Sequence, residues 1–103
     1  MEPEVLWLDE QRVVSLSELV EVSGLSSEEL IELAQGGAIP FREVQGANYV
    51  FSASVISVAR TACRLRDELE LDMAGLAVAL RLLDRVRGLE EEIARLRALL
   101  PRA

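Results

Sequence analysis

The 103-residue sequence has no histidine and no lysine, a single cysteine (Cys63) and only four aromatic residues. Each shortage removes a class of function. Without histidine there is no Ser-His-Asp or Cys-His catalytic set. One cysteine and no histidine cannot supply the three or four ligands of a zinc site, nor an intramolecular disulfide. Without lysine, no glycine-rich run can continue into the Lys-Ser or Lys-Thr of a phosphate-binding loop, and neither Gly36-Gly37 nor Gly46 forms one. The carboxylates are numerous, but they fall on helices that read as solvated, in a chain too short to enclose a substrate around them. A non-enzymatic binding protein without metal or cofactor is expected. No run of about 18 uninterrupted apolar residues exists, so no membrane span is expected. No basic stretch leads into an apolar one at the N-terminus, so no secretory signal is expected, and a cytoplasmic location is the simplest reading.

Half of the residues are hydrophobic. With so few aromatics the core must be built from Leu, Val, Ile and Ala, which favours helices over a β-sandwich. The length suits one compact domain. Within it, residues 1–71 read as a winged helix-turn-helix-like region and 72–103 as a C-terminal helical dimerisation region.

Val5-Leu6-Trp7-Leu8 reads as a short strand or extended arm, with Trp7 as a core or interface plug. Asp9 to Arg12 turn, and Val13-Val14 lead into the first helix. Ser15-Leu16-Ser17-Glu18 has the form of a capping box, in which serine oxygen and glutamate carboxylate satisfy each other's amides. The short helix after it shows Leu16, Leu19 and Val20 on one face and stops at Gly24, which can take the left-handed conformation of a C-terminal cap. Ser26-Ser27-Glu28-Glu29 is a second capping box. Its helix runs to about Gln35, with Leu30, Leu33 and Ala34 inward and Ile31 at the edge of that face, and Gly36-Gly37 stops it. Helix, short glycine-containing turn, helix is the spacing of a helix-turn-helix. Pro40 then opens a hairpin over Phe41–Phe51, a wing, with its turn at Gln45-Gly46-Ala47-Asn48.

Ser52 is expected to cap the third helix, whose stripe is Val55, Ile56, Ala59, Ala62, Cys63 and Leu69, with Cys63 as a small buried hydrophobe. That helix is expected to end near Leu71, and Asp72 to cap the fourth, which turns Met73, Leu76, Ala77, Leu80 and Leu83 inward. A second period overlaps it. Leu82, Val86, Leu89, Ile93, Leu96 and Leu100 step by four and three, which is a coiled-coil seam. Arg85 and Glu92 fall at g positions and Glu90 and Arg97 at e positions, a pattern compatible with parallel or antiparallel pairing. Homodimerisation through this seam is expected; the plainer alternative folds the helix back on its own domain. Gly88 costs roughly 1 kcal/mol in a helix interior, so a bend there is plausible, and Pro101 ends the helix.

The charge is uneven. Residues 1–51 carry ten acids against Arg12 and Arg42, a net −8, and residues 52–103 carry +1 of the chain's −7. In a helix-turn-helix the second helix enters the major groove, and affinity for DNA comes largely from basic residues meeting phosphates. Here that helix offers Glu28, Glu29, Glu32 and Gln35, and no basic residue. The wing's Arg42 is followed by Glu43. Arg60, Arg64, Arg66, Arg81, Arg85 and Arg87 lie in the later helices, several with an acid in reach, such as Arg64 with Glu68 and Arg81 with Asp84. The plain reading is a solvated, ion-paired face; the sharper one is a face that repels nucleic acid and attracts a basic partner.

The order of parts over about residues 13–100 resembles the MerR-type winged-helix family. Ala38-Ile39-Pro40-Phe41 before the wing, and Leu65-Arg66-Asp67-Glu68-Leu69-Glu70-Leu71-Asp72-Met73-Ala74-Gly75-Leu76 continuing into Leu82-Leu83-Asp84-Arg85, are similar to its chaperone-modulator branch, the CbpM-like proteins. DNA-binding members typically carry an Arg-Tyr-Tyr-type run in the second helix, where this chain has Leu30-Ile31-Glu32-Leu33, and an arginine-rich wing. The resemblance implies binding to the J-domain of a DnaJ-like co-chaperone of the CbpA kind, blocking its productive contact with the chaperone DnaK. J-domains display a basic helix beside their His-Pro-Asp loop, to which an acidic modulator is complementary. Glu28, Glu29 and Glu32 are the first candidates for the partner-facing surface, and Asp67, Glu68 and Glu70 the second. The rival is a MerR-type transcriptional regulator reading DNA through Gln35, Arg42 and the arginines of the third helix. A structural adaptor for an unrelated protein is a third reading.

Overall fold

A computed structural model of the chain describes residues 12–44 and 48–101. The Val5–Leu8 run with Trp7, and residues 45–47 of the expected wing turn, lie outside the described residues. The elements in order are β1 (Val13–Ser15), α1 (Leu16–Ser23), α2 (Ser27–Gln35), β2 (Arg42–Val44), β3 (Asn48–Ser52), α3 (Val55–Leu69) and α4 (Met73–Ala98). The fold is mainly helical, with a small antiparallel sheet.

Both capping boxes form. Ser15 Oγ accepts the Glu18 amide at 3.1 Å while the Ser15 amide donates to Glu18 Oε1 at 2.7 Å. Ser26 and Glu29 repeat the pattern at 3.1 and 2.9 Å. Each box satisfies two amides that an α-helix leaves unpaired at its start. Gly24 ends α1 at φ +88°, its amide donating to the Val20 carbonyl.

The sheet has the order β1-β3-β2. β2 and β3 form the wing, with Glu43 opposite Tyr49. Val13-Val14, read from sequence as a lead-in, instead form an edge strand, pairing antiparallel with Ser52 and Phe51. This ties the start of the helix-turn-helix to the far side of the wing. Phe41 stacks on Tyr49 with ring centroids 5.0 Å apart, and Tyr49 on Phe51 at 6.5 Å.

One core serves all the helices and the sheet. It holds Leu19, Leu25, Leu30, Leu33, Ala34, Ile39, Val55, Ala59, Ala62, Leu76 and Leu80 around Phe51, the one buried aromatic among the described residues. The aliphatic composition is thus used as expected, and Leu30, Leu33 and Ala34 supply the inner face of α2.

The third helix departs from expectation. Ser52 does not cap it: Ser52 closes β3, its hydroxyl accepts the Ser54 amide at 3.3 Å, and α3 begins at Val55. The helix stops at Leu69, earlier than Leu71, because Glu70 turns left-handed at φ +53°. Leu69 therefore leaves the buried stripe and is 61 % exposed. Asp72 does cap α4, its carboxylate accepting the Gly75 amide at 2.8 Å. Leu76 and Leu80 of α4 are buried and Met73 and Ala77 pack beside them, whereas Leu83 is 40 % exposed. The helix runs unbroken through Gly88 and ends at Ala98, before Pro101. No described helix is long and apolar enough to cross a membrane.

Candidate protein-interaction surface

α2 stands where a helix-turn-helix presents its recognition helix, so the disposition of its polar residues decides what the fold can bind. With Leu30, Leu33 and Ala34 turned inward, Glu28 and Glu32 are exposed. They are four residues apart and share one helix face. Glu29 is turned differently. Its carboxylate closes the Ser26 capping box and meets Arg66 Nη1 at 2.5 Å. Burial pushes its pKa up, but the Ser26 amide, the Arg66 guanidinium and the Ser26 hydroxyl outweigh that and hold it below the ordinary carboxylate range. Arg66 is correspondingly raised, chiefly by its hydrogen bonds to Glu29 and Asp67.

Arg66 also reaches Asp67 Oδ1 through Nε at 3.0 Å. One guanidinium thus joins the start of α2 to the end of α3 and brings the two acidic sets, Glu28-Glu29-Glu32 and Asp67-Glu68-Glu70, onto adjoining surface. Glu28, Glu32, Asp67, Glu68 and Glu70 are its exposed members; Glu29 is half-buried, and both Glu29 and Asp67 are engaged with Arg66.

The arginines are used differently from the sequence expectation. Arg64 and Glu68 form no ion pair. Arg81 does not pair with Asp84 but donates to the Gly36 carbonyl at the end of α2. Asp84 instead faces Arg87 at 3.8 Å. Arg60 Nε donates to the Val22 carbonyl, in the last turn of α1, at 3.0 Å. Guanidinium groups therefore sit on the carbonyl ends of α1 and α2, where the helix dipole is negative, and Glu29 sits at the amide end of α2, where it is positive. Sequence reasoning missed these ties because they span 37 to 45 residues, and no local spacing signals them.

Gln35 donates to the Tyr49 hydroxyl at 2.8 Å, so its amide fastens α2 to the wing. Arg42 lies on the edge strand β2 and makes no ion pair among the described residues. Cys63 is half-buried rather than sealed in the core. Its Sγ lies 3.5 Å from Arg66 Nη2 and 3.8 Å from Asp67 Oδ2, and it occupies the space where a side chain on Gly24 would stand. Among the described residues no cluster of His, Cys, Asp or Glu is placed to hold a metal ion.

The second half of α4 forms a separate surface. Leu82, Val86, Leu89, Ile93, Leu96 and Leu100 are each between 44 and 66 % exposed. From Arg81 to Pro101 every residue is exposed, so this helix does not fold back over its own chain.

Residues 14–98 match the family described as MerR HTH family regulatory protein. Curated relatives are similar over most of the chain. The proteins described as chaperone modulatory protein CbpM from Escherichia coli O139:H28 (strain E24377A / ETEC), Escherichia coli O9:H4 (strain HS) and Shigella boydii serotype 18 (strain CDC 3083-94 / BS512) are each 40 % identical over 88 residues, covering 85 % of this chain and 87 % of theirs. The chain is a CbpM-like member of the MerR HTH family. A chaperone-modulator role is what this kinship supports. In this CbpM-like chain the helix-turn-helix is present, but its recognition-helix position is acidic outward and its nearest arginines are spent on internal ties.

Proposed function

We propose that this CbpM-like chain is a cytoplasmic chaperone modulator that occupies the J-domain of a DnaJ/CbpA-like co-chaperone and so prevents that domain from stimulating DnaK. The observation that carries this reading is the exposed pair Glu28 and Glu32 on α2, adjoining Glu68 and Glu70, in a chain 40 % identical to chaperone modulatory proteins over most of its length. A basic J-domain helix laid against this surface gains charge complementarity, which steers encounter and suppresses wrong partners. The same carboxylates oppose DNA, where each would add repulsion in place of released counterions. The chain acts by occupancy and has no catalytic role.

The reading includes a homodimer. The exposed seam from Leu82 to Leu100 on α4 is apolar at coiled-coil spacing, and pairing two copies buries it. Residues 72–103 then serve as the dimerisation region and 1–71 as the partner-binding region.

The deciding experiment measures DnaK ATPase activity stimulated by the J-domain protein while this chain is titrated in. Stimulation should fall towards the basal rate, and Glu28→Lys with Glu32→Lys should raise the concentration needed by about tenfold or more. If stimulation is untouched, the J-domain reading is wrong. If the doubly reversed variant inhibits as well as the wild type, α2 is not the contact surface.

A further inference from the structure

The end of α2, the connection that leads from Gly37 to Phe41, and the middle of α4 border a cleft of about 740 Å³. Its apolar side is formed by Ala38, Ile39, Pro40 and Phe41, and its α4 side carries Arg81 and Arg85. Clefts of roughly 300–1,000 Å³ are the size that accepts a ligand. Arg81 and Arg85 are four residues apart and share one helix face, but their tasks differ. Arg81 donates to the Gly36 carbonyl. Arg85 is exposed and makes no hydrogen bond or ion pair among the described residues. The carboxylate at the rim, Asp84, faces Arg87 instead. A free guanidinium beside an apolar wall is complementary to a carboxylate carried next to an apolar group.

The cleft runs on along α4 into a shallower depression of about 300 Å³, lined by Asp84, Arg85, Gly88, Leu89 and Glu92. No packing within the fold requires Gly88: a Cβ there would meet nothing within 4 Å, and glycine in a helix interior costs roughly 1 kcal/mol. Its missing side chain leaves the depression open. Pairing of two α4 helices through the Leu82–Leu100 seam does not fill this space. With Val86 at an a position, Arg81 and Gly88 fall at c and Asp84 at f, positions that point away from a coiled-coil seam. Cleft and depression together form a groove along the flank of α4, a shape that suits an extended chain better than a compact small molecule. Glu92 closes the far end, so the acidic part of an occupant lies over Arg85 and not beyond Gly88.

We propose that this groove binds an extended segment of another protein in which an apolar side chain stands beside carboxylates. The apolar group sits against Ala38, Pro40 and Phe41, and the carboxylates meet the Arg85 guanidinium, with the charge of Arg81 one turn behind it. The groove is opposite in charge to the exposed Glu28 and Glu32, so the chain offers one surface to a basic partner and another to an acidic one. The inference does not rest on the J-domain reading, because the groove and the acidic face of α2 use different residues.

The test titrates the full-length, isotope-labelled chain with the end-capped peptide Gly-Ser-Leu-Phe-Glu-Glu-Ser-Gly and with its reversed sequence, and follows amide chemical shifts. At least one of the two should move the amides of Ala38, Phe41 and Arg85 and leave those of Glu28 and Glu32 in place. Replacing both peptide glutamates with glutamine, or its phenylalanine and leucine with serine, should weaken binding by about tenfold or more. Arg85→Glu should do the same with the thermal melting curve unchanged, since Arg85 holds nothing in the fold. Gly88→Gln should also weaken binding while raising Tm, because glutamine fills the depression and favours the helix. Four results would overturn the proposal. One is no shift at these amides with either peptide at millimolar concentration. A second is equal binding of the glutamine peptide or by Arg85→Glu. A third is phenylacetate binding as tightly as the peptides, which would make this a site for small carboxylates. The last is groove amides that shift when the chain alone is diluted, which would make the occupant a second copy.

Discussion

Replacing Glu29 with glutamine keeps the capping box, because glutamine can still accept the Ser26 amide, but removes the charge that faces Arg66. The pair is about one-quarter exposed on each side, so Glu29→Gln should lower the unfolding free energy by only about 0.5–1 kcal/mol. Glu29→Ala, which loses the cap as well, should cost about 1–2 kcal/mol. Urea midpoints at neutral pH measure both. The pH dependence has a definite sign. The folded carboxyl lies below its ordinary 4.5, so its contribution is complete above that value and is lost as pH falls through the folded pKa. The acid limb of the stability curve should therefore be shallower in Glu29→Gln than in the wild type. Gly24 offers a second test, with two separable causes. Its φ of +88° is left-handed, and a Cβ there would stand 2.8 Å from Cys63 Sγ. Left-handed backbone costs a side-chain-bearing residue roughly 1–2 kcal/mol, so Gly24→Ala should cost more than that. Adding Cys63→Ala should recover the clash and leave the backbone cost, a non-additive cycle readable in urea midpoints.

At the scale of elements, α4 does two things along one length. Its first turns bury Leu76 and Leu80, and its later turns hold Leu89 and Ile93 in solvent. Nothing lies within 4 Å of where a Cβ on Gly88 would be, so Gly88→Ala should stabilise the helix by about 0.8–1 kcal/mol through propensity alone, raising Tm. Leu89→Asp should leave the monomer folded, because Leu89 touches no core residue, yet shift sedimentation from dimer to monomer if the seam pairs. Elements governed by neighbouring residues were readable in the sequence. Ser15 and Glu18, Ser26 and Glu29, and Asp72 with Gly75 mark helix starts by chemistry that lies within three residues, and the inward face of α2 follows from its periodicity. Elements decided elsewhere were not. The strand Val13–Ser15 exists because β3 offers it an edge. Ser52 belongs to β3 rather than to α3 because that pairing extends through Ser52. Glu70 breaks α3 so that α4 can turn back onto the core, which no propensity scale anticipates for a glutamate. The acidic candidates were visible as residues, but their division into exposed Glu28 and Glu32 and engaged Glu29 depends on Arg66, 37 residues away.

For the whole molecule, the decisive quantity is where charge is free to act. The chain carries −7, and its first half −8. Arg60, Arg66 and Arg81 are held at helix ends or against Glu29, so they cannot readily turn outward to meet a polyanion without loosening α1 and α2. A basic partner approaching α2 therefore meets a one-sided field, and a dimer presents it twice. Such a field acts on encounter more than on the finished contact. Its range contracts from about 10 Å at 0.1 M salt to about 3 Å at 1 M. Association with the J-domain, followed by stopped flow, should slow by about tenfold or more as salt rises across that range, with the dissociation rate changing far less. Glu28→Lys with Glu32→Lys should flatten the salt slope even where binding survives, because it removes the source of the field. If the wild-type association rate is indifferent to salt, the acidity of α2 serves only to exclude DNA, and the partner must be held by another face of the molecule.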